Sequence, residues 1–485
     1  MSDLSGLTVT ELLAAYAARE TTPVEATDAL LRRIETVDER VGAVLTLEAE
    51  RALRCAQDAT ERWDAGTQRA LEGVPFGVKD IIFTDGVRTT GGSLVYESYE
   101  PGFSAPVVTR LEDAGALRLA KLQTFEFALG GTAATTNPWN GDYWPAGSSS
   151  GSAAAVAARE LPLALGTDTG GSIAIPSSLC GVCGLKPTYG RVPRSGVMAL
   201  SWTLDHVGPI ARSAEDLARA LAVLAGPDPQ DPTASPRDVP DYLVELGGSL
   251  KGLRIARPTD WFDDRCHPDV AHATEQAIAV LVEHGAEVVE VPLPSTRSAD
   301  LHAIEMMIIF AELASLHSSA DEDPQRYGPE FRRLFARAQF VTAVDYLQAL
   351  RARHLVQLDF EAVFEQADVV VVPAVAYLTP RLDDLVADLG GEVVPLADVV
   401  ARTTAVFNIV GAPTVTVPAG FDSRGLPIGV QVAARPHADA VALRAAHAFQ
   451  QVTDAHRQAP TLEPAPAASE FAQRSIDTST KDGMW

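Results

Sequence analysis

The chain has 485 residues, 46% of them hydrophobic, and a formal net charge of −25. That length can bury a large core, and that charge opposes direct binding to nucleic acid or to an anionic membrane. Four cysteines exclude a disulfide framework, and an opening stretch with Asp3 and Glu11 lacks the basic-then-apolar pattern of a secretory leader, so a cytoplasmic protein is expected.

In chain order, Thr10 to Arg40 reads as amphipathic helices. Gly73–Phe83 (GVPFGVKDIIF) is an apolar, strand-like run with a lysine inside it. Only five lysines stand among the 39 basic residues, so this chain habitually uses arginine for fixed charge. Lysine can lose its proton when desolvated and arginine cannot, so Lys79 is a candidate general base. A surface-reaching amine, or one paired with Asp80, is the competing reading. Next comes Pro145–Ser152 (PAGSSSGS) followed by an alanine run to Ala158. The alanines read as a closely packed helix with serines at its start. One N-cap needs one serine, and four are present.

Leu161–Leu165 reads as a short buried strand leading into Gly166-Thr167-Asp168-Thr169-Gly170-Gly171-Ser172. Paired glycines let backbone N–H groups converge on one point, and a serine beside such a nest has what acyl transfer needs. A tight turn with a capping serine fits the same residues. Further strands are expected at Gly252–Ala256, Ala286–Val291, Val369–Pro373 and Pro413–Pro418, with helices at Pro268–His284 and Asp439–Val452. Pro227–Pro240 reads as a loop or hinge, and the stretch after about Pro460 as a loosely held tail. The run Leu301–Ile309 is too short to span a bilayer.

Other catalytic patterns fit poorly. Gly147–Gly151 satisfies the nucleophile-elbow spacing around Ser149, but a turn-rich loop precedes it where a strand is required. No Ser-x-x-Lys precedes any lysine, and no glycine turn ends in the P-loop pattern. Cys180 and Cys183 have the spacing of half a zinc site, but no second pair exists, so a buried reduced pair is expected. The histidines form no ligand cluster, so neither metal nor cofactor is expected.

These segments together resemble the amidase signature family. The resemblance runs through Gly73–Asp80, Lys121–Gly131, Asn137–Trp139, Pro145–Ser152, Gly166–Thr188, Leu204–Pro209, Phe407–Pro413 and Gly425–Gln431. Ser148 and Ser172 lie 24 residues apart, as in the family's serine pair. The resemblance implies an α/β fold: a single large domain with a central mixed β-sheet surrounded by helices. It would span residues 1–460, with N-terminal helices (1–70), a signature core (71–225), the Pro-rich loop (226–245) and the rest of the sheet (246–460). A variable lid would lie around 300–353, and residues 461–485 form the tail. It also implies a triad of Ser172 as nucleophile, Ser148 as bridging serine after a cis peptide bond, and Lys79 as base. The N–H groups of Thr169, Gly170, Gly171 and Ser172 match an oxyanion hole. Ser149, Thr167 and Asp168 are expected to support it, and Leu129, Gly130, Gly131 and Trp144 match positions near the active site.

The chain departs from the family at Ala174, where many members carry arginine. Losing that fork leaves an apolar wall, so a neutral small amide, carbamate or ester is the expected substrate unless Arg88 or Arg402 supplies the charge. The expectation is a stand-alone hydrolase, monomer or homodimer, with a small-molecule substrate and no nucleic-acid or membrane partner. The alternative is the glutamine-hydrolysing subunit of a tRNA-dependent amidotransferase. Ala174 speaks against it, as does the lack of a tyrosine-rich stretch before the lid beyond Arg326-Tyr327-Gly328.

Overall fold

The chain starts with two helices whose boundaries are written locally. Thr8 and Glu11 form a reciprocal capping box on the helix Val9–Ala17, and Thr22 and Glu25 do the same for Pro23–Val41. Each box satisfies two N–H groups that a helix start leaves unpaired. Gly42, at φ 67°, stops the second helix in the left-handed conformation. The computed structural model describes residues 4–131, 133–258, 265–291, 298–317 and 323–462. The expected tail lies outside these, apart from its first two residues.

Thirteen strands are present among the described residues: β1 Val44–Leu47, β2 Pro75–Lys79, β3 Leu117–Leu122, β4 Leu163–Asp168, β5 Cys183–Lys186, β6 His206–Ala211, β7 Arg254–Pro258, β8 Glu287–Val291, β9 Val369–Pro373, β10 Val386–Asp388, β11 Val393–Pro395, β12 Thr414–Phe421 and β13 Pro427–Ala434. Eleven of them form one sheet in the order β1-β3-β2-β4-β6-β5-β12-β13-β9-β7-β8, and β10 and β11 form a small separate hairpin. The sheet is mixed. β3, β2 and β4 run parallel, as do β9, β7 and β8, while the strands between them pair antiparallel. This is the expected α/β architecture, a single domain with a mixed central sheet inside helices.

The strands β2 and β4 are buried along their whole length, which explains why they are apolar up to the polar residues at their C-terminal ends. Their C-terminal ends lie side by side, with Val78 opposite Leu165. The alanine helix Ser150–Ala157 is buried on every side and packs across β2, β3, β4 and β6. Small side chains let it approach the sheet closely. Gly151 leaves no alternative, because a Cβ there would lie 2.5 Å from the Gln123 backbone nitrogen.

Two helices roof the C-terminal ends of β2 and β4, Ser298–Leu316 and Pro329–Ala338, and a third, Ala343–Gln366, packs on the first of them. The two roof helices pack on one another, and Pro329–Ala338 is pinned by an aromatic cluster in which Tyr327 stacks on Phe331 at 5.2 Å and Phe127 packs against both. Pro227–Pro240 contains neither helix nor strand. Among the described residues, no helix is long and apolar enough to cross a membrane.

Candidate active site

Lys79 is the last residue of β2 and is fully buried. Its amine lies 2.8 Å from Ser148 Oγ, 2.9 Å from Ser149 Oγ and 2.8 Å from Thr167 Oγ1. Neither a surface route nor a pairing with Asp80 describes it. Asp80 instead pairs with Lys121 at 3.4 Å, both side chains being buried. Burial pulls the Lys79 amine down to about 7, and the more distant charges of Asp168 and Asp205 offset only part of that. An amine surrounded by hydroxyls, with no carboxylate in contact, can be neutral at ordinary pH and accept a proton from one of them.

Ser148 follows a cis peptide bond from Gly147. Gly147 permits the close approach of Phe125, whose ring would lie 2.3 Å from any Cβ there. Ser149 occupies the N-cap of the alanine helix but caps no N–H. Its hydroxyl instead donates to Thr167 O and accepts from Thr167 N, tying the start of the helix to β4. Ser152 binds Leu165 O, so it fastens the helix to β4. The hydroxyl of Ser150 is buried without a partner among the described residues.

Ser172 stands on the turn after β4, and Asp168 shapes that turn. Its carboxylate accepts from the N–H groups of Gly171 (2.8 Å), Ile173 (2.7 Å) and Ala174 (3.2 Å), and from Asn408 Nδ2 (2.8 Å). The Gly171 N–H is thereby committed to Asp168. Among the described residues, those of Thr169, Gly170 and Ser172 carry no hydrogen bond to the protein, so the nest has three open donors. Gly171 adopts φ 137°, and a Cβ there would meet Thr404 Oγ1 at 2.3 Å. Thr404 also donates to Gly170 O at 2.5 Å, and Thr169 Oγ1 to Asp205 at 2.6 Å. Asn408, Thr404 and Asp205 thus hold the turn from outside. Asn408 and Asp205 sit in stretches that carry the family resemblance, but nothing local to them points at Asp168 or Thr169.

Ser148 and Ser172 open together into a cleft of about 540 Å³. Lys79 lies beneath it. Leu129, Gly131 and Trp144 line the cleft. Gly130 does not; it packs against the Phe331 backbone, which a Cβ would approach to 2.9 Å. Ala174 is buried behind the turn, and Ile175 presents the apolar wall in its place. Trp202 lines a neighbouring small cavity. His206 lies on β6 with Nδ1 2.7 Å from Leu204 O, and burial holds its ring neutral. Cys180 and Cys183 are reduced and buried, and burial pushes both thiols up. No metal-binding cluster of His, Cys, Asp or Glu occurs among the described residues.

The roof makes the cleft charged. Glu305, Glu330, Arg333 and Arg337 of the roof line it, joined by Asp398 from a separate turn, none of them visible as site residues in the sequence. Arg402 is engaged with Arg265 O, and neither it nor Arg88 reaches the cleft.

The Amidase family profile matches residues 25–443. A glutamyl-tRNA(Gln) amidotransferase subunit of Chloroflexus aurantiacus is 40% identical over 496 residues, covering 95% of this chain and all of that protein. The crystal structure of the corresponding glutamyl-tRNA(Gln) amidotransferase subunit from Thermotoga maritima superposes with TM-score 0.80 at 29% identity, over 96% of this chain and 99% of that one. A structure described as an unexpected vestigial protein complex, revealing the origins of an s-triazine catabolic enzyme, superposes with TM-score 0.87 at 32% identity, over 92% and 98%. These relatives overturn two expectations, that of a substrate class of neutral amides, carbamates and esters and that of an enzyme working without macromolecular partners. The inference from Ala174 failed because it weighed one wall of the cleft and the roof carries the charge. The chain belongs to the Amidase family and is an amidohydrolase of the amidase signature type.

Proposed function

We propose that this chain is the glutamine-hydrolysing subunit of a tRNA-dependent amidotransferase, releasing ammonia for a partner protein. The observation that carries the reading is the 40% identity, end to end, with a glutamyl-tRNA(Gln) amidotransferase subunit. The cleft supports it, since Arg337 at its lip and the carboxylates of the roof offer both signs of charge to a zwitterionic amino acid.

In this reading Ser172 Oγ attacks the side-chain carboxamide carbon of glutamine. Its proton passes through Ser148 to the neutral amine of Lys79. The oxygen that gains negative charge is received by the open N–H groups of Thr169, Gly170 and Ser172. Lys79 then returns the proton through Ser148 to the departing nitrogen, which leaves as ammonia. Water attacks the acyl-enzyme by the same route in reverse and frees glutamate and Ser172. Ser149, Thr167 and Asp168 keep the amine and the turn in register.

The test is co-purification with the remaining subunits of a glutamyl-tRNA amidotransferase and an assay of glutamate release and of amide transfer to glutamyl-tRNA. Stoichiometric assembly and glutamine-dependent transfer are expected. A chain that neither assembles nor releases glutamate from glutamine, while turning over other amides, overturns the proposal.

A further inference from the structure

Glu305 lies in the interior of the helix Ser298–Leu316, yet it is only 3% exposed. It lines the cleft beside Gly170 and Ser172. A Cβ on Gly170 would fall 1.8 Å from Glu305 Oε1, so this carboxyl lies directly against the turn that presents the serine. A carboxyl group in that place is costly twice over. It has left water, and it faces the point where an attacked carbonyl would develop negative charge.

Compensation within the protein is thin. His302, one turn earlier on the helix, brings Nδ1 to 3.6 Å from Oε2. Among the described residues no hydrogen bond reaches Oε1. Burial pushes the carboxyl up and the charge of Asp168 adds to this, against the pull of His302. The same contact raises His302. The other carboxylates of the cleft are placed differently, Glu330 being committed to Arg333 and Asp398 exposed at the mouth. A half-compensated buried carboxyl beside the reacting turn lacks one thing, a cation supplied from the cleft.

We propose that Glu305, held by His302, is a specificity-determining residue that receives an ammonium group carried on the hydrocarbon arm of a primary-amide substrate. That the ammonium is the α-amino group of glutamine rests on the function proposed above.

The test uses Ser172→Ala protein, so that ligands are bound and not consumed, and calorimetric titration with four amides. Glutamine is paired with glutaramate, which lacks only the amino group, and 4-aminobutanamide is paired with butanamide. Each member carrying the ammonium is expected to bind about tenfold or more tightly than its partner. Adding Glu305→Gln is expected to bring both ratios below about threefold, while Glu305→Asp keeps part of the preference and so separates recognition from collapse of the site. Preference that survives Glu305→Gln, or that is lost in Asp398→Asn instead, overturns the assignment, as does the lack of any preference in the Ser172→Ala protein. Preference for 4-aminobutanamide that depends on Glu305, with no binding of glutamine, sinks the glutamine reading and leaves Glu305 standing. Glutamine binding indifferent to Glu305 does the reverse.

Discussion

The floor and the roof of the cleft are built by different rules. On the floor, Lys79, Ser148, Ser149, Thr167 and Ser172 come from three short motifs at the ends of two neighbouring strands and the start of one helix. Nearly every contact there is a hydrogen bond of 2.7–3.2 Å between buried groups. The roof brings a buried Glu305 and the more exposed Arg333 and Arg337 from two helices, the second of which is held by aromatic packing. The floor can therefore tune a proton acceptor to a definite state, whereas the roof can only offer charge. Lys79 and Lys121, buried on adjacent parallel strands, sharpen the point. Lys121 has a carboxylate partner and binds Ile82 O and Thr89, and burial lowers it only to about 8; Lys79 has hydroxyls and falls to about 7.

The largest effect expected comes from breaking the floor at its nucleophile. Ser172→Ala should cut glutamine hydrolysis by about 10⁴-fold or more with an unchanged melting temperature, measured as glutamate release. Lys79→Ala should cost about 10³-fold, and Lys79→Arg should rescue nothing, because a guanidinium cannot give up its proton. The same comparison predicts a pH profile. The base works neutral, so kcat/KM should rise with pH through about 7 and level off above it. A profile flat from about pH 5.5 to about pH 8.5 would remove Lys79 from the role.

A smaller loss is expected one step away from the chemistry. Asp168→Asn keeps the shape but weakens the hold on three N–H groups, and kcat should fall about 10²-fold with KM little changed. The roof should respond in binding instead. Arg337→Ala should raise KM for glutamine about tenfold and leave kcat within about twofold, and a fall in kcat instead would erase the distinction between the two regions.

The smallest effect concerns how the roof is latched. Glu126 accepts from Gly328 N on the roof and from Ser93, and burial pushes its carboxyl up to about 7. A raised carboxyl binds its proton more tightly in the folded protein. Its contribution is therefore full below its ordinary range and is lost as pH rises through about 7. Glu126→Gln should melt about 2 °C higher than the parent at about pH 8 and near the parent at about pH 5. A higher melting point confined to the acidic condition would contradict that sign.

Much of the floor was legible in the sequence, because its chemistry lies within contiguous motifs. A lysine in an apolar strand, a serine cluster too large for one cap and a glycine turn after a strand each carry their own signal. The strand expected at Val369–Pro373 matches residue for residue. That at Gly252–Ala256 is found two residues later, at Arg254–Pro258, since local pattern locates an element better than its ends. The substrate was not legible. Ala174 is adjacent in sequence to the serine turn, so it seemed to speak for the whole cleft, yet its side chain is buried behind the turn.

Taken alone, the order of residues determined the family, the mixed α/β architecture and the identity of the amine and hydroxyls under the cleft. Short-range periodicity and compact motifs encode such features directly. Only tertiary structure decided that Asn408, 240 residues distant, would hold Asp168. The same is true of Glu305 lying on Gly170 and of the roof rather than residue 174 bringing charge to the cleft. The physical reason is that long-range contacts arise from how helices settle on a sheet, and no local pattern records where a distant side chain will come to rest.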